Sequence, residues 1–413
     1  MEALVYRLSL PRVILTKLLG SRWPWLIYGP PGPLVYAHLP DPELRGDDWA
    51  LVRTRLAGVC GSDLGVIAAH SSPSASPFSS FPAVLGHEIY GVVERAGSRV
   101  PVPAGTRVVV DPSISCTMRG LPPCPACQEG FPYLCRRCTE GDLSPGFLVG
   151  FCRDLPGGWA ERMAAHASQL HPVPDGVSDE RAVLVEPLAV AFHGVLRRTP
   201  PAGARVLVIG AGTIGLCTVA ALRLLGVDAR VTVAARHGMQ AELARALGAD
   251  QVVSPREIGA AARAAGARAF RPLIGREVYR GGFDLVYDCV GTRRSLDDAL
   301  RVAREGGTVV LLGGAGEIPR LDWTFVWMRE LEIVGSVGYG LERAGERRVH
   351  TFDLVLEALA EHPELPVERM ITHRFPLRRY REALRAALDR RSSGAVKILF
   401  TPGSSADQHA GKE

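Results

Sequence analysis

The run "ARVLVIGAGTIGLCTVAALRLLG", residues 204–226, restricts the fold more than any other stretch of the chain. Its first part is continuously apolar, as in a parallel strand covered on both faces; a half-exposed strand would alternate with polar residues. A segment of helical period follows and stops at Gly226. Between them, Gly210, Gly212 and Gly215 permit a tight turn, close approach of backbone to a pyrophosphate and close helix–strand packing. Thr213 and Ile214 open the helix, whose free amides favour an anion. One such motif is weak evidence, but here it heads a series. "ARVTVAAR" precedes "MQAELARALGAD", "FDLVYDCVG" precedes "SLDDALRVAREGG", and "TVVLLGG" comes next. This alternation predicts an α/β domain with a doubly wound parallel sheet that binds a dinucleotide. Residues 255–282, rich in Ala and Arg, are expected to add a helix and a loop.

The second strand of the series ends at Ala235, Arg236 and His237. A dinucleotide site that holds ribose hydroxyls places a carboxylate about 20 residues beyond the glycines. With Ala235 and Arg236 there instead, the repulsion is gone and a guanidinium is available to a 2′-phosphate. NADP is therefore expected ahead of NAD, the alternative being a merely solvated Arg236.

Upstream the texture differs. Short Val-rich runs such as "WALVRTRLAGV" and "GTRVVVDP" alternate with Pro and Gly turns and predict a β-rich domain. Five of the nine cysteines fall between Cys116 and Cys138, which fits metal binding in a reducing compartment better than a disulfide framework. Cys124 and Cys127 form C-x-x-C, Cys135 lies eight residues on, and Cys116 and Cys138 flank them. Four thiolates from this set would make a closed structural zinc site. Cys60 in "GVCGSD", His87 and Glu88 in "LGHEIYG", and Glu186 in "LVEPLAVAFHG" (which also carries His193) offer one sulfur, one nitrogen and two oxygens. That donor set suits an open catalytic zinc. Singly, each has a plain alternative as core thiol, satisfied histidine or helix cap.

"GVCGSD", "GHE", the cysteine loop, "EPLAVAFH" and "GAGTIG" occur in the order seen in zinc-dependent medium-chain dehydrogenases/reductases. From about residue 40 to about residue 400 the chain resembles the sorbitol, threonine and glucose dehydrogenase branches of that family. The resemblance implies a GroES-like catalytic domain over 1–187, with 337–402 returning to it, and a Rossmann domain over 188–336. Residues 403–413 are expected to form a disordered tail. It further implies zinc on Cys60, His87 and Glu88, with Glu186 a fourth ligand or exchanging with water. Ser62 matches the hydroxyl that binds the substrate oxygen, and Asp63 a carboxylate behind the ligands. Lys397, in the closing strand, is expected at the cofactor phosphates or solvated at the edge of the core.

Three departures from the pattern stand out. Gly65 occupies the place of a relay histidine, so the proton must leave through water or His70. The usual first cysteine of the loop falls at Leu121, leaving Cys116 as substitute and Cys138 as runner-up. An insert near residues 11–33 exceeds the family pattern.

The expected activity is hydride transfer between a nicotinamide cofactor and a secondary alcohol, polyol or sugar, or its carbonyl. One catalytic and one structural zinc are expected, and Trp159, Trp323 and Trp327 are the candidates for a substrate pocket. A net charge of +5 from 48 basic and 43 acidic residues, spread along the chain, argues against a nucleic-acid partner. No run of about 18 uncharged apolar residues predicts a membrane span. The N-terminus has no signal architecture. It reads as a strand followed by an apolar loop or short helix at a subunit contact, a membrane-surface role for Trp23 and Trp25 being the minor alternative. A cytoplasmic homodimer or homotetramer is expected. The competing readings are the same fold using NAD on a simple alcohol, and a cofactor-binding protein without turnover.

Overall fold

A computed structural model describes residues 1–403. Two compact units emerge, one of Met1–Glu186, Gly345–Leu356 and the chain from Ile371, the other of Pro187–Ala344 and Glu357–Met370. The tail expected over 403–413 lies, from residue 404, outside the described residues. The division differs from expectation at two segments. Residues 337–344 belong to the second unit, where Glu342 is buried and its Oε1 lies 2.5 Å from Nδ1 of buried His193. Glu357–Met370 joins it too, with Val367 and Met370 buried beside the helix Thr213–Leu224.

The second unit is built on a six-stranded, wholly parallel sheet. Its order is Gln251–Val253, Ala229–Ala234, Ala204–Ile209, Phe283–Asp288, Ala303–Leu311 and Glu332–Gly335. Val206, Val208, Val231, Val233, Val286 and Val309 have no exposed surface, as expected of strands covered on both faces. Chain order reverses between Ala204–Ile209 and Phe283–Asp288, which opens a crevice at their carboxyl ends where Gly210 begins the turn. Gly210 adopts φ +96°, a region that side chains disfavour. A Cβ on Gly215 would lie 1.7 Å from the Gly210 carbonyl oxygen, so both glycines are sterically required. Asp284 ties three neighbouring strands together. It accepts from the Arg205 amide at 2.8 Å, from Arg205 Nε at 2.9 Å and from Arg304 Nε at 2.6 Å.

The first unit carries a seven-stranded sheet. Ile371–Phe375, Lys397–Phe400, Trp49–Gly58, Ile89–Ala96, Arg107–Val110 and Leu170–Pro172 follow in that order, and Arg162–His166 also pairs with Trp49–Gly58. Register decides what this sheet displays. Leu399 pairs with Gly58, and Ala57 with Ile89. The segments that carry Lys397, Cys60 and His87–Glu88 therefore leave three adjacent strands at one end. A second sheet packs Glu2–Tyr6 between Leu34–His38 and Ala83–Val84. The apolar N-terminal insert forms a ten-residue helix, Leu10–Leu19, and a short one, Trp25–Tyr28.

The Ala/Arg-rich stretch holds the expected helix, Ile258–Ala264, but then a hairpin of Arg268–Phe270 and Val278–Arg280 in place of a loop. Few β-branched residues announce it; the antiparallel pairing itself makes the strands.

Burial favours the neutral form of Asp284, but Arg205 and Arg304 outweigh it and hold the carboxyl below the ordinary range. A depressed folded pKa stabilises above the unfolded value of about 3.9 and is lost only as pH falls through the folded value. Asp284→Asn is expected to cost about 1.5–3 kcal/mol at pH 7. In urea melts the difference from wild type should persist at pH 4 and shrink only at lower pH.

Candidate active site

Cys60 caps the N-terminus of the helix Gly61–Ile67, and Asp63, three residues on, folds back to accept the Cys60 amide at 3.0 Å. Asp63 is fully buried, and its other oxygen lies 3.4 Å from Nδ1 of buried His87. One carboxylate thus holds both the backbone of Cys60 and the ring of His87. Its position on Nδ1 leaves Nε2 as the nitrogen free to act. On that side Ser62 Oγ lies 3.3 Å away. The Phe151 ring packs against the imidazole at 5.6 Å.

Glu88 takes a different direction. Its carboxylate pairs with Lys397 Nζ, both side chains being almost wholly buried, and Nζ also lies 3.4 Å from the Val59 carbonyl. The path of Glu88 runs over Gly58, where a Cβ would come 1.7 Å from Glu88 Oε2. Lys397, expected at the cofactor phosphates, is therefore spent on a carboxylate inside the first unit and does not reach them. Glu186 is buried in the first turn of the helix Val185–Arg197, and its charge is felt at Lys397.

The electrostatics fit a cation. Burial would lower His87, but Asp63 and the Cys60 sulfur outweigh it and raise its pKa well above the ordinary imidazole value. Lys397 is raised as well, with Glu88 and Cys60 outweighing burial. A pocket that retains protons so strongly holds excess negative charge, and a soft sulfur beside an imidazole nitrogen suits zinc.

The cysteine loop resolves its own ambiguity in space. Donor atoms of Cys116, Cys124, Cys127 and Cys135 all lie within 4.8 Å of one another. Cys138 stands outside this group. Sγ of Cys116 is 3.4 Å and Sγ of Cys124 is 4.0 Å from Sγ of Cys135. Tetrahedral zinc, at a Zn–S distance of about 2.3 Å, needs sulfurs about 3.8 Å apart. All four are free thiols. Burial raises Cys124, but amides of Cys127 and Arg136 outweigh it and bring the thiol down to about 6; burial pushes Cys127 up to about 11. One thiolate is ready and the remaining protons are those a dication displaces.

In the second unit, the pairing of Ala234 with Ile209 brings Ala235 and exposed Arg236 beside Gly210. Trp159 is no pocket residue. It is fully buried, donates from Nε1 to the Gly58 carbonyl at 3.0 Å and packs on Gly86. Trp323 and Trp327 are exposed in the second unit.

Sequence reasoning missed a convergence of Asp111, His171 and His350, whose donors also lie within 4.8 Å of one another. Hydrogen bonds account for it. His350 Nδ1 accepts the Phe352 amide at 3.2 Å, so the neutral ring carries its proton on Nε2, 3.3 Å from Asp111 Oδ2. His171 Nδ1 lies 2.7 Å from Asp353 Oδ1. A metal on His350 Nε2 would drive the proton onto Nδ1, where an amide already donates. No spacing motif connects residues so far apart in the chain.

Residues 46–175 match the alcohol dehydrogenase GroES-like domain and residues 213–361 the zinc-binding dehydrogenase family. D-arabinitol dehydrogenase 1 of Uromyces fabae is 30% identical over 366 residues, covering 88% of this chain and 92% of that protein. (R,R)-butanediol dehydrogenase of Saccharomyces cerevisiae is 29% identical, covering 89% and 94%. Among solved structures, a zinc-binding dehydrogenase of Sinorhizobium meliloti bound to NADP is 29% identical with a TM-score of 0.66, covering 89% of this chain and 95% of its own.

Lys397→Ala leaves Glu88 buried without its partner and is expected to cost about 3–5 kcal/mol, whereas the double variant Glu88→Gln, Lys397→Met should recover most of that loss. A double-mutant cycle in guanidinium melts reads both. Because the folded pKa of Lys397 is raised, wild type should keep this contribution below about pH 10.4 and lose it only as pH rises through the folded value.

Proposed function

The chain belongs to the zinc-dependent medium-chain dehydrogenase/reductase family, and on that premise we propose that it transfers hydride between NADP and a secondary alcohol, polyol or sugar. The observation that carries the reading is the meeting of Cys60, His87 Nε2 and the Ser62 hydroxyl in a pocket of excess negative charge. Two zincs per chain belong to the reading, one on Cys60 and His87 and one on Cys116, Cys124, Cys127 and Cys135. Glu186 is the nearby carboxylate that completes or exchanges at the first. The relatives' names, an arabinitol and a butanediol dehydrogenase, support a hydroxylated substrate.

Bound at Cys60 and His87, zinc supplies Lewis-acid polarisation of the substrate oxygen, and the nicotinamide supplies the hydride acceptor. The chain's own residues do the rest. Asp63 fixes the His87 tautomer so that Nε2 presents its lone pair, as a carboxylate behind a ligating histidine does. Ser62 hydrogen-bonds the substrate hydroxyl and takes up its proton, which passes to His70 or solvent because Gly65 has no side chain to carry it. Glu88, held by Lys397, adds negative charge behind the ligands and leaves their open side to substrate. Arg236 pairs with the 2′-phosphate, and the glycine turn from Gly210 to Gly215 receives the pyrophosphate. A homodimer or homotetramer is the assembly expected by light scattering.

Elemental analysis should find two zincs per chain in wild type and one in Cys60→Ser, with turnover lost and NADPH binding kept. One zinc in both proteins would remove the catalytic centre from this reading. Arg236→Asp should shift the NADP/NAD ratio of kcat/KM by about tenfold or more towards NAD, the worth of one charge-assisted hydrogen bond. Unchanged selectivity would overturn the cofactor assignment.

A further inference from the structure

The N-terminal helix Leu10–Leu19 is amphipathic with its faces reversed. Thr16 is its only buried residue, and Val13, Thr16 and Gly20, spaced three and four apart, form the line that rests on the protein. Leu10, Ile14 and Leu18, four residues apart on the opposite face, are 71%, 58% and 72% exposed. Leu15 widens this stripe, and exposed Leu8, Trp23 and Trp25 extend it at either end. A continuous apolar surface of this kind is rare on a protein without a partner for it.

The face is held outward by firm anchors. The strand Glu2–Tyr6 is buried in its sheet on one side, and Leu26 and Ile27 are buried on the other, Ile27 within the core of the first unit. The helix therefore has no freedom to roll its leucines inward without giving up these contacts.

Charge selects the partner. Arg12 and Lys17 project from the two rims of the apolar stripe, and Arg7 and Arg22 stand at its ends, all exposed. No aspartate or glutamate occurs between Glu2 and Asp41. Pairing this face with the same face of a second copy would set both groups of cations against each other with no carboxylate from the segment to neutralise them. An anionic lipid surface meets both requirements at once: acyl chains accept Leu10, Ile14 and Leu18, the headgroup boundary accepts the indoles, and lipid phosphates pair with the rim cations. We propose that residues 7–25 form a peripheral anchor that seats this dehydrogenase on anionic membranes, the helix Leu10–Leu19 lying in the interface.

Vesicle sedimentation of the full chain tests this, with vesicles of phosphatidylcholine alone and of phosphatidylcholine with about 30% phosphatidylglycerol. Binding at least tenfold stronger to the anionic vesicles, and weakened by 0.5 M salt, is expected. Ile14→Asp with Leu18→Asp should reduce it at least tenfold. So should Arg12→Glu with Lys17→Glu, a pair that leaves the apolar stripe intact. All four residues are exposed, so thermal melts of both variants should match wild type. No binding to anionic vesicles, or binding that neither variant weakens, overturns the proposal. Loss of a dimer in the Asp variant, without vesicle binding by wild type, assigns the face to a second copy and overturns it equally.

Discussion

The catalytic end of the first unit depends on one buried ion pair. Glu88 and Lys397 come from distant parts of the chain and meet across Gly58, on three strands whose register brings their ends together. Two charges taken out of water are stable only as partners, so the pair acts as a lock on register. If either strand slipped by one residue, the buried charge would lose its counterion and Glu88 would strike backbone. Cys60 and His87 are immediate chain neighbours of these anchors. Their separation is set by the lock more than by any contact of their own.

Around that lock the charges are deliberately unequal. Asp63, Glu88, Glu186 and the Cys60 sulfur face one lysine and one histidine, and the imbalance appears as raised proton affinity at both cationic groups. Such an arrangement is costly in an empty interior and comfortable around a dication. The cysteine loop follows the same logic with sulfur alone. Four thiols crowd to near-tetrahedral spacing, one already favouring the thiolate, and a metal relieves their mutual repulsion. The two sites differ in closure. The loop uses all four sulfurs on one another, whereas the Cys60–His87 pair keeps a hydroxyl at its open side.

The second unit owes its order to simpler physics. Strands apolar on both faces must be covered by helices, and the crossover rule then fixes a crevice where strand order reverses. Gly210 and Gly215 occur there because backbone passes backbone too closely for a side chain. Asp284 adds a polar clamp at the other end of the same strands, bound by two arginines and an amide.

Much of this was legible from local pattern. The parallel sheet showed itself in continuous apolar runs, the glycine turn in its spacing, and the cysteine loop in its crowding, since period and spacing are properties of neighbouring residues. The family resemblance rested on those same motifs. Side-chain direction was not legible. "GHE" places His87 and Glu88 side by side, and only the strand register turns one towards Cys60 and Ser62 and the other towards Lys397. Cys116 and Cys138 were equally credible in sequence until the loop closed on Cys116. The grouping of Asp111 with His171 and His350 has no sequence signature, because it depends on three segments packing together. The N-terminal helix could be counted as apolar from its letters, yet which face it presents was decided by the anchors on either side of it. Sequence by itself determined which elements and donor types this chain contains; tertiary structure decided which of them meet, because hydrogen-bond register and burial act between residues that the chain keeps far apart.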